Sequence, residues 1–167
     1  MSEKRTLQVN ANGDREIVMS RSFNAPRELV FEAWTKPELI KQWLLGPPGW
    51  TMIVCDVDHS EGGITRFLWR GPNGEEMGMR TIGVEFDPPN RIVSIERFDQ
   101  PWYPGEAQVT LDFTEQHGLT TVTTTVRYES QQARDGVLKT PMSTGVGMSY
   151  DRLEALLDDM LATQRDV

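Results

Sequence analysis

The sequence predicts an α+β fold, an antiparallel sheet of about seven strands covered by one long C-terminal helix. Three observations carry this. Short segments of strand-like alternation, separated by turn residues, fill the chain from Thr51 to Tyr128. Apolar residues then recur at spacings of three and four from Met142 to Met160. With 167 residues, 38% hydrophobic and 25% charged, the chain is long enough for one core and ordinary in composition, which excludes collagen-like, coiled-coil and low-complexity architectures.

Residues 1 to 14 are polar, are interrupted by Asn12-Gly13 and read as a flexible arm before a single domain over residues 15 to 163. The first strand is Glu16 to Phe23. Asn24-Ala-Pro26 starts a short helix, since proline costs nothing in a first turn whose N–H groups lack partners, and Leu29, Val30, Ala33 and Trp34 form its apolar face. Thr35-Lys-Pro-Glu38 has the spacing of a capping box and predicts a second helix to about Trp43, ended by Gly46-Pro-Pro-Gly49. Six strands follow: Thr51 to Val57, Gly63 to Arg70, Glu76 to Phe86, Arg91 to Phe98, Glu106 to Glu115 and Leu119 to Tyr128. Gly71-Pro-Asn-Gly74, Asp87-Pro-Pro-Asn90 and Gln116-His-Gly118 are short turns that make antiparallel neighbours. Ser130 caps a helical piece from Gln131 to Leu138, and Thr140-Pro141 opens the long helix, about six turns and roughly 33 Å at 1.5 Å per residue. Gly145 and Gly147 lie inside it at a cost of roughly 1 kcal/mol each, which calls for a neighbour in close approach or room for a ligand.

Charge and cysteine content narrow the function. Twenty-five acidic against seventeen basic side chains leave a net charge of −8, which repels nucleic-acid phosphates and anionic lipid surfaces; the basic residues around Arg66 and Arg70 are interrupted by apolar ones. One cysteine, Cys55, excludes an internal disulfide and a multi-cysteine metal site, and it reads as a small strand residue in a reducing compartment, the cytoplasm. The N-terminal residues lack the apolar stretch of a signal peptide, and no run approaches the roughly 20 apolar residues of a membrane span.

Motifs of catalysis are scarce. His117 falls in a turn. Asp56, Asp58 and His59 resemble a metal or general-base cluster, but strand alternation sends His59 to the face opposite the two carboxylates. No metal site and no cofactor is expected, for the chain has no phosphate loop, no nucleophile elbow and no metal-spaced ligand set. Five Trp and eight Met are instead an excess of large soft side chains suited to an adaptable apolar interior. The expected lining is Trp34 and Trp43 from the short helices, Phe67, Trp69, Met79, Glu96, Phe98 and Phe113 from the strands, and Met142, Val146 and Tyr150 from the long helix. Simple core filling is the alternative for each aromatic. Glu96 shares a strand face with Ile92 and Phe98, where desolvation would raise its pKa, unless Arg66 or Arg80 on a neighbouring strand pairs it.

The order of elements, together with Ala33-Trp-Thr-Lys-Pro-Glu38, Gln42-Trp43, Gly46-Pro47, Gly62-Gly63, Asn73-Gly74 and Pro88-Pro-Asn-Arg-Ile-Val93, resembles proteins related to the C-terminal domain of the activator of Hsp90 ATPase. They belong to the START-type polyketide cyclase and lipid-transfer (SRPBCC) superfamily. Glu96-Arg-Phe-Asp99, Trp102-Tyr-Pro-Gly105 and Gly147-Met-Ser-Tyr-Asp-Arg-Leu153 are similar to a bacterial branch of it. The resemblance implies a helix-grip fold, a curved sheet wrapped around the long helix with a cavity between. Three functions follow as expectations: a cytoplasmic binder of a small hydrophobic or aromatic molecule, a cyclase or aromatase using Glu96 or Tyr150, and a chaperone-interaction module or homodimer. The last is weakened by the lack of an additional domain before residue 15.

Overall fold

The computed structural model describes residues 5–165. In chain order the elements are β1 (Gln8–Asn12), β2 (Glu16–Phe23), α1 (Arg27–Thr35), α2 (Pro37–Trp43), β3 (Thr51–Asp56), β4 (Ile64–Arg70), β5 (Glu76–Asp87), β6 (Arg91–Phe98), β7 (Ala107–Gln116), β8 (Leu119–Arg127), α3 (Gln131–Leu138) and α4 (Met142–Arg165). All eight strands join one antiparallel sheet in the order β1-β2-β8-β7-β6-β5-β4-β3. This is the predicted α+β, helix-grip-like architecture with one more strand than expected. No helix among the described residues is long and apolar enough to cross a membrane.

The additional strand corrects the reading of residues 1 to 14 as a flexible arm at Gln8–Asn12; residues 1 to 4 of that arm lie outside the described residues. Gln8–Asn12 pairs with β2, from Gln8 opposite Ser20 to Asn12 opposite Glu16. Gly13-Asp14-Arg15 is the hairpin turn, with Gly13 at φ +60°. The expected capping box also fails to form. Thr35 ends α1, its hydroxyl donating 3.0 Å back to the Phe31 carbonyl, and Lys36 becomes the N-cap of α2. Pro37 explains this, because it drives the residue before it into an extended conformation and so puts the break at Lys36. At α3 the expected cap does form, with Ser130 Oγ accepting from the Ala133 N–H at 3.0 Å. In the β7–β8 turn His117 and Gly118 both have positive φ, 56° and 76°, the geometry of a two-residue hairpin loop.

One sheet face is concave toward the helices. It carries Ile17, Met19, Arg21 and Phe23 of β2, Val122, Thr124 and Val126 of β8, Phe113 of β7 and Ile92 of β6, all buried. Tyr150, Leu153 and Leu157 of α4 close over the Phe113 end of it together with α1 and α2. Arg21 is 3% exposed yet charged, and two carboxylates of α4 answer it, Asp151 at 2.7 Å and Glu154 at 2.9 Å. An apolar strand thus carries the cation that registers the helix on the sheet.

Candidate functional site

The residues expected to line one cavity are divided among three apolar clusters. Trp34, Trp43, Phe113 and Tyr150 share a cluster and pack mostly edge to face, with ring centroids 4.6 Å apart for Trp34 and Trp43 and 5.6 Å apart for Trp34 and Tyr150. The Trp43 indole N–H donates to the Ala33 carbonyl at 2.9 Å, so its polar edge is spent on joining α2 to α1. Phe67 and Met79 form a second cluster with Trp69 and Phe98 against it, and the Trp69 N–H donates 2.7 Å to the Leu44 carbonyl. Met142 and Val146 pack against a third, built on Tyr103, Tyr128, Ala133 and Val137. Phe98 touches the second and third clusters, and Val146 the first and third.

Near the third cluster the concave face becomes polar. Pairing sets Thr65 opposite Thr81, Thr81 opposite Glu96 and Glu96 opposite Ala107, a transverse row with a carboxylate in it. The Tyr103 hydroxyl, from the loop after β6, donates to Glu96 Oε2 at 2.9 Å. Arg66 and Arg80 do not pair with Glu96, because residues opposite Arg97 face the other way. Protein surrounds the carboxyl, but some of its surface stays accessible to water. Burial pushes it from an ordinary 4.5 up to about 7, partly opposed by the bond from Tyr103. Burial, and then the Glu96 charge, push the phenols of Tyr103 and Tyr128 upward, so both remain donors at neutral pH. Their rings meet edge to face at 5.1 Å.

Tyr103 also forms a wall of an open cleft of about 640 Å³, shared with Trp102, Pro104, Gln131, Gln132 and Lys139. The loop carrying it is anchored at Gly105, where φ is +79° and a Cβ would collide with the Glu129 carboxylate that accepts from the Glu106 N–H. The cleft therefore leads to a phenol and, behind it, to a carboxylic acid half ionised near neutrality. That pair can donate to and accept from a small polar group, or exchange a proton with it.

The other candidates sit apart. Tyr150 is raised by burial, opposed by the neighbouring Thr124 side chain and the Arg21 charge, and so belongs to surroundings distinct from those of Glu96. His59 has its pKa lowered mainly by burial; its Nε2 lies 3.3 Å from the Trp34 carbonyl and its ring stacks on Phe86. Asp58 accepts from the Ser60 N–H in a local turn, and no group of metal-ligating side chains occurs among the described residues. The Cys55 thiol is raised by burial. Gly145 and Gly147 do not mark a close approach: an added Cβ would meet only Pro47 at 3.8 Å at the first, and nothing within 4 Å at the second. Sequence reading missed Tyr103 and Tyr128. Tyr128 continues the alternation of Val122, Thr124 and Val126, and Tyr103 lies in Trp102-Tyr-Pro-Gly105, a motif that does not reveal its reach to Glu96.

The sequence pattern of a family described as "Activator of Hsp90 ATPase homolog 1-like protein" matches residues 24–158. A crystal structure of a Rhodobacter sphaeroides protein is similar at 30% identity and TM-score 0.87, over 92% of this chain and 99% of that one. A Nitrosomonas europaea protein is similar at 21% identity and TM-score 0.79, over 91% and 99%, and an AHSA1-like protein from Aeromonas hydrophila at 18% and 0.65, over 83% and 93%; these two bear on the fold alone. No protein of curated function matches.

Proposed function

Because the chain belongs to the activator of Hsp90 ATPase homolog 1-like family, whose fold hosts more than one function, we propose from its site that it binds a small hydrophobic or aromatic molecule bearing one polar group. The observation that carries this is the Tyr103–Glu96 hydrogen bond behind the 640 Å³ cleft. An apolar body would lie against Trp102 and the Tyr103 ring, and its hydroxyl, carbonyl or amine would meet the phenol and, beyond it, the carboxyl. The lone thiol fits a cytoplasmic setting.

The test is titration with 2-naphthol, followed by Trp fluorescence. A saturable change in the parent is expected, weakened about tenfold in Glu96→Leu or Tyr103→Phe, a loss of about 1.4 kcal/mol. A parent that gives no saturable change up to the solubility limit overturns the proposal. An acid near pH 7 also suits cyclase-type proton transfer, and in that case Glu96→Gln would abolish turnover while retaining binding. A protein partner, chaperone or second copy, is favoured by one observation, the exposure of Ile64, Ile82 and Val84 on β4 and β5.

A further inference from the structure

The outer, convex face of the sheet carries a feature that the function proposed above does not use. Pairing places Arg66 directly opposite Arg80, and Arg80 directly opposite Arg97, so three guanidinium groups cross β4, β5 and β6 in one row. Adjacent strands lie only about 4.8 Å apart, and like charges set opposite one another oppose sheet formation. In a chain of net charge −8 such a row is not a consequence of composition.

The carboxylates nearby do not neutralise it. Asp56 stands opposite Arg66 at the β3 end of the row. Asp99 takes Arg66 in a two-pronged ion pair, and the Arg66 hydrogen bond is the main cause that holds its carboxyl below the usual range. Gly78 leaves room for this: a Cβ there would run into Asp99 Oδ2 and the Arg66 guanidinium nitrogens, so the pair rests on bare backbone. Glu106 follows the last β6–β7 pair and makes no ion pair with Arg97. Arg80 and Arg97 are both exposed and make no ion pair among the described residues, although the Arg80 charge adds to that of Arg66 in holding Asp99 low.

These two arginines form one wall of a cleft of about 510 Å³, completed by Phe98, Asp99, Pro101, Pro104 and Gly105. The proline-bearing loop makes the cleft concave, which distinguishes it from a solvated row of charges. Arginine forks match the paired oxygens of a phosphate or carboxylate, and two on neighbouring strands can grip one oxyanion from both sides.

We propose that the Arg80–Arg97 cleft binds a small phosphate monoester, with the two guanidinium groups on its oxygens and the Arg66–Asp99 pair holding the row in register. The inference is independent of the ligand assigned to Glu96, since Arg80 and Arg97 point to the convex face and Glu96 to the concave one, although both clefts border Pro104. The phosphate could belong to a free metabolite or to a lipid headgroup, and the experiment has an arm for each.

Phenyl phosphate is titrated into the full chain at low ionic strength by calorimetry, with phenol as the uncharged control. The expected result is saturable binding of phenyl phosphate that weakens as salt is added, and none of phenol at the same site. Arg80→Gln and Arg97→Gln should each weaken it at least tenfold, and Arg97→Lys should recover part of the loss. Thermal melts serve as the folding control, and neither Gln variant should melt below the parent, because each removes a like charge from the row. In the second arm the protein is sedimented with phosphatidic acid vesicles and with phosphatidylcholine vesicles. Arginine-dependent binding to phosphatidic acid vesicles without binding of phenyl phosphate assigns the same site to a lipid headgroup. If neither probe binds, or if binding is unchanged in the Arg80→Gln/Arg97→Gln double variant, the proposal is overturned.

Discussion

At one end of the concave face, Phe23, Trp34, Trp43, Phe113 and Tyr150 interlock against α4, and the Trp43 N–H is committed to a helix carbonyl. At the other end, Glu96, Tyr103 and Tyr128 face one another beside an open cleft, with a carboxyl that water still reaches. The aromatic end is the richer in the side chains usually taken to line a binding site. Its rings, however, are one another's partners. The end with fewer aromatic rings and one acid has the unsatisfied chemistry and the open volume. Aromatic content reports where apolar area is buried, whereas a titratable group on an apolar face reports where a ligand has something to recognise.

The comparison is sharpened most by deleting a ring from the packed end. Trp43 is fully buried, so Trp43→Ala should cost about 3–5 kcal/mol in denaturant unfolding, from lost burial and the cavity left behind. A loss under 1 kcal/mol would mean that this end is loosely filled and open to ligands after all.

At the polar end the larger effect is on pH dependence. The Glu96 pKa is about 7 in the folded chain against an ordinary 4.5, so between these values the folded protein keeps a proton that the unfolded chain has released. Stability from this group is therefore greatest below about pH 4.5 and declines as the pH rises toward 7, by roughly 2–3 kcal/mol across the window. Glu96→Gln should flatten that decline in melts taken from pH 5 to 8. A variant whose profile parallels that of the parent would place the Glu96 carboxyl in ordinary solvent.

The smallest effect separates the long helix from both ends. Because Gly147 has no neighbour within 4 Å of a Cβ position, Gly147→Ala should stabilise the protein by about 1 kcal/mol through helix propensity alone. A fall in melting temperature would reveal a close neighbour at that turn of α4.

The elements were legible wherever a buried face imposed a period. The strands from β2 to β8 and the helix α4 alternate or recur because one side of each meets the core. Strand β1 escaped because four of its five residues are exposed and its pairing is by backbone, which leaves no apolar pattern. The Thr35 cap was misread because a proline two residues later decided where the helices part. Of the site, Glu96 could be found as a carboxylate on an apolar strand face. Tyr103 could not, since its contact depends on the path of the loop from Asp99 to Glu106, which no local periodicity encodes. Whether the expected aromatics packed together or enclosed a space depended likewise on three-dimensional fit.

The strand order has a consequence for how the chain reaches this structure. Every ladder but one joins strands that are neighbours along the chain; the exception is β2 with β8, where Glu16 meets Arg127 and Phe23 meets Thr120. That seam closes a loop of roughly a hundred residues, and contacts so distant in sequence are slow to form because their closure entropy is spent before they contribute. We expect the β3–β8 meander to be ordered in the folding transition state and the β2–β8 seam to join after it. A Ser22→Gly change in the seam should then speed unfolding and leave the folding rate nearly unaltered, and a matching fall in the folding rate would put the seam in the nucleus instead.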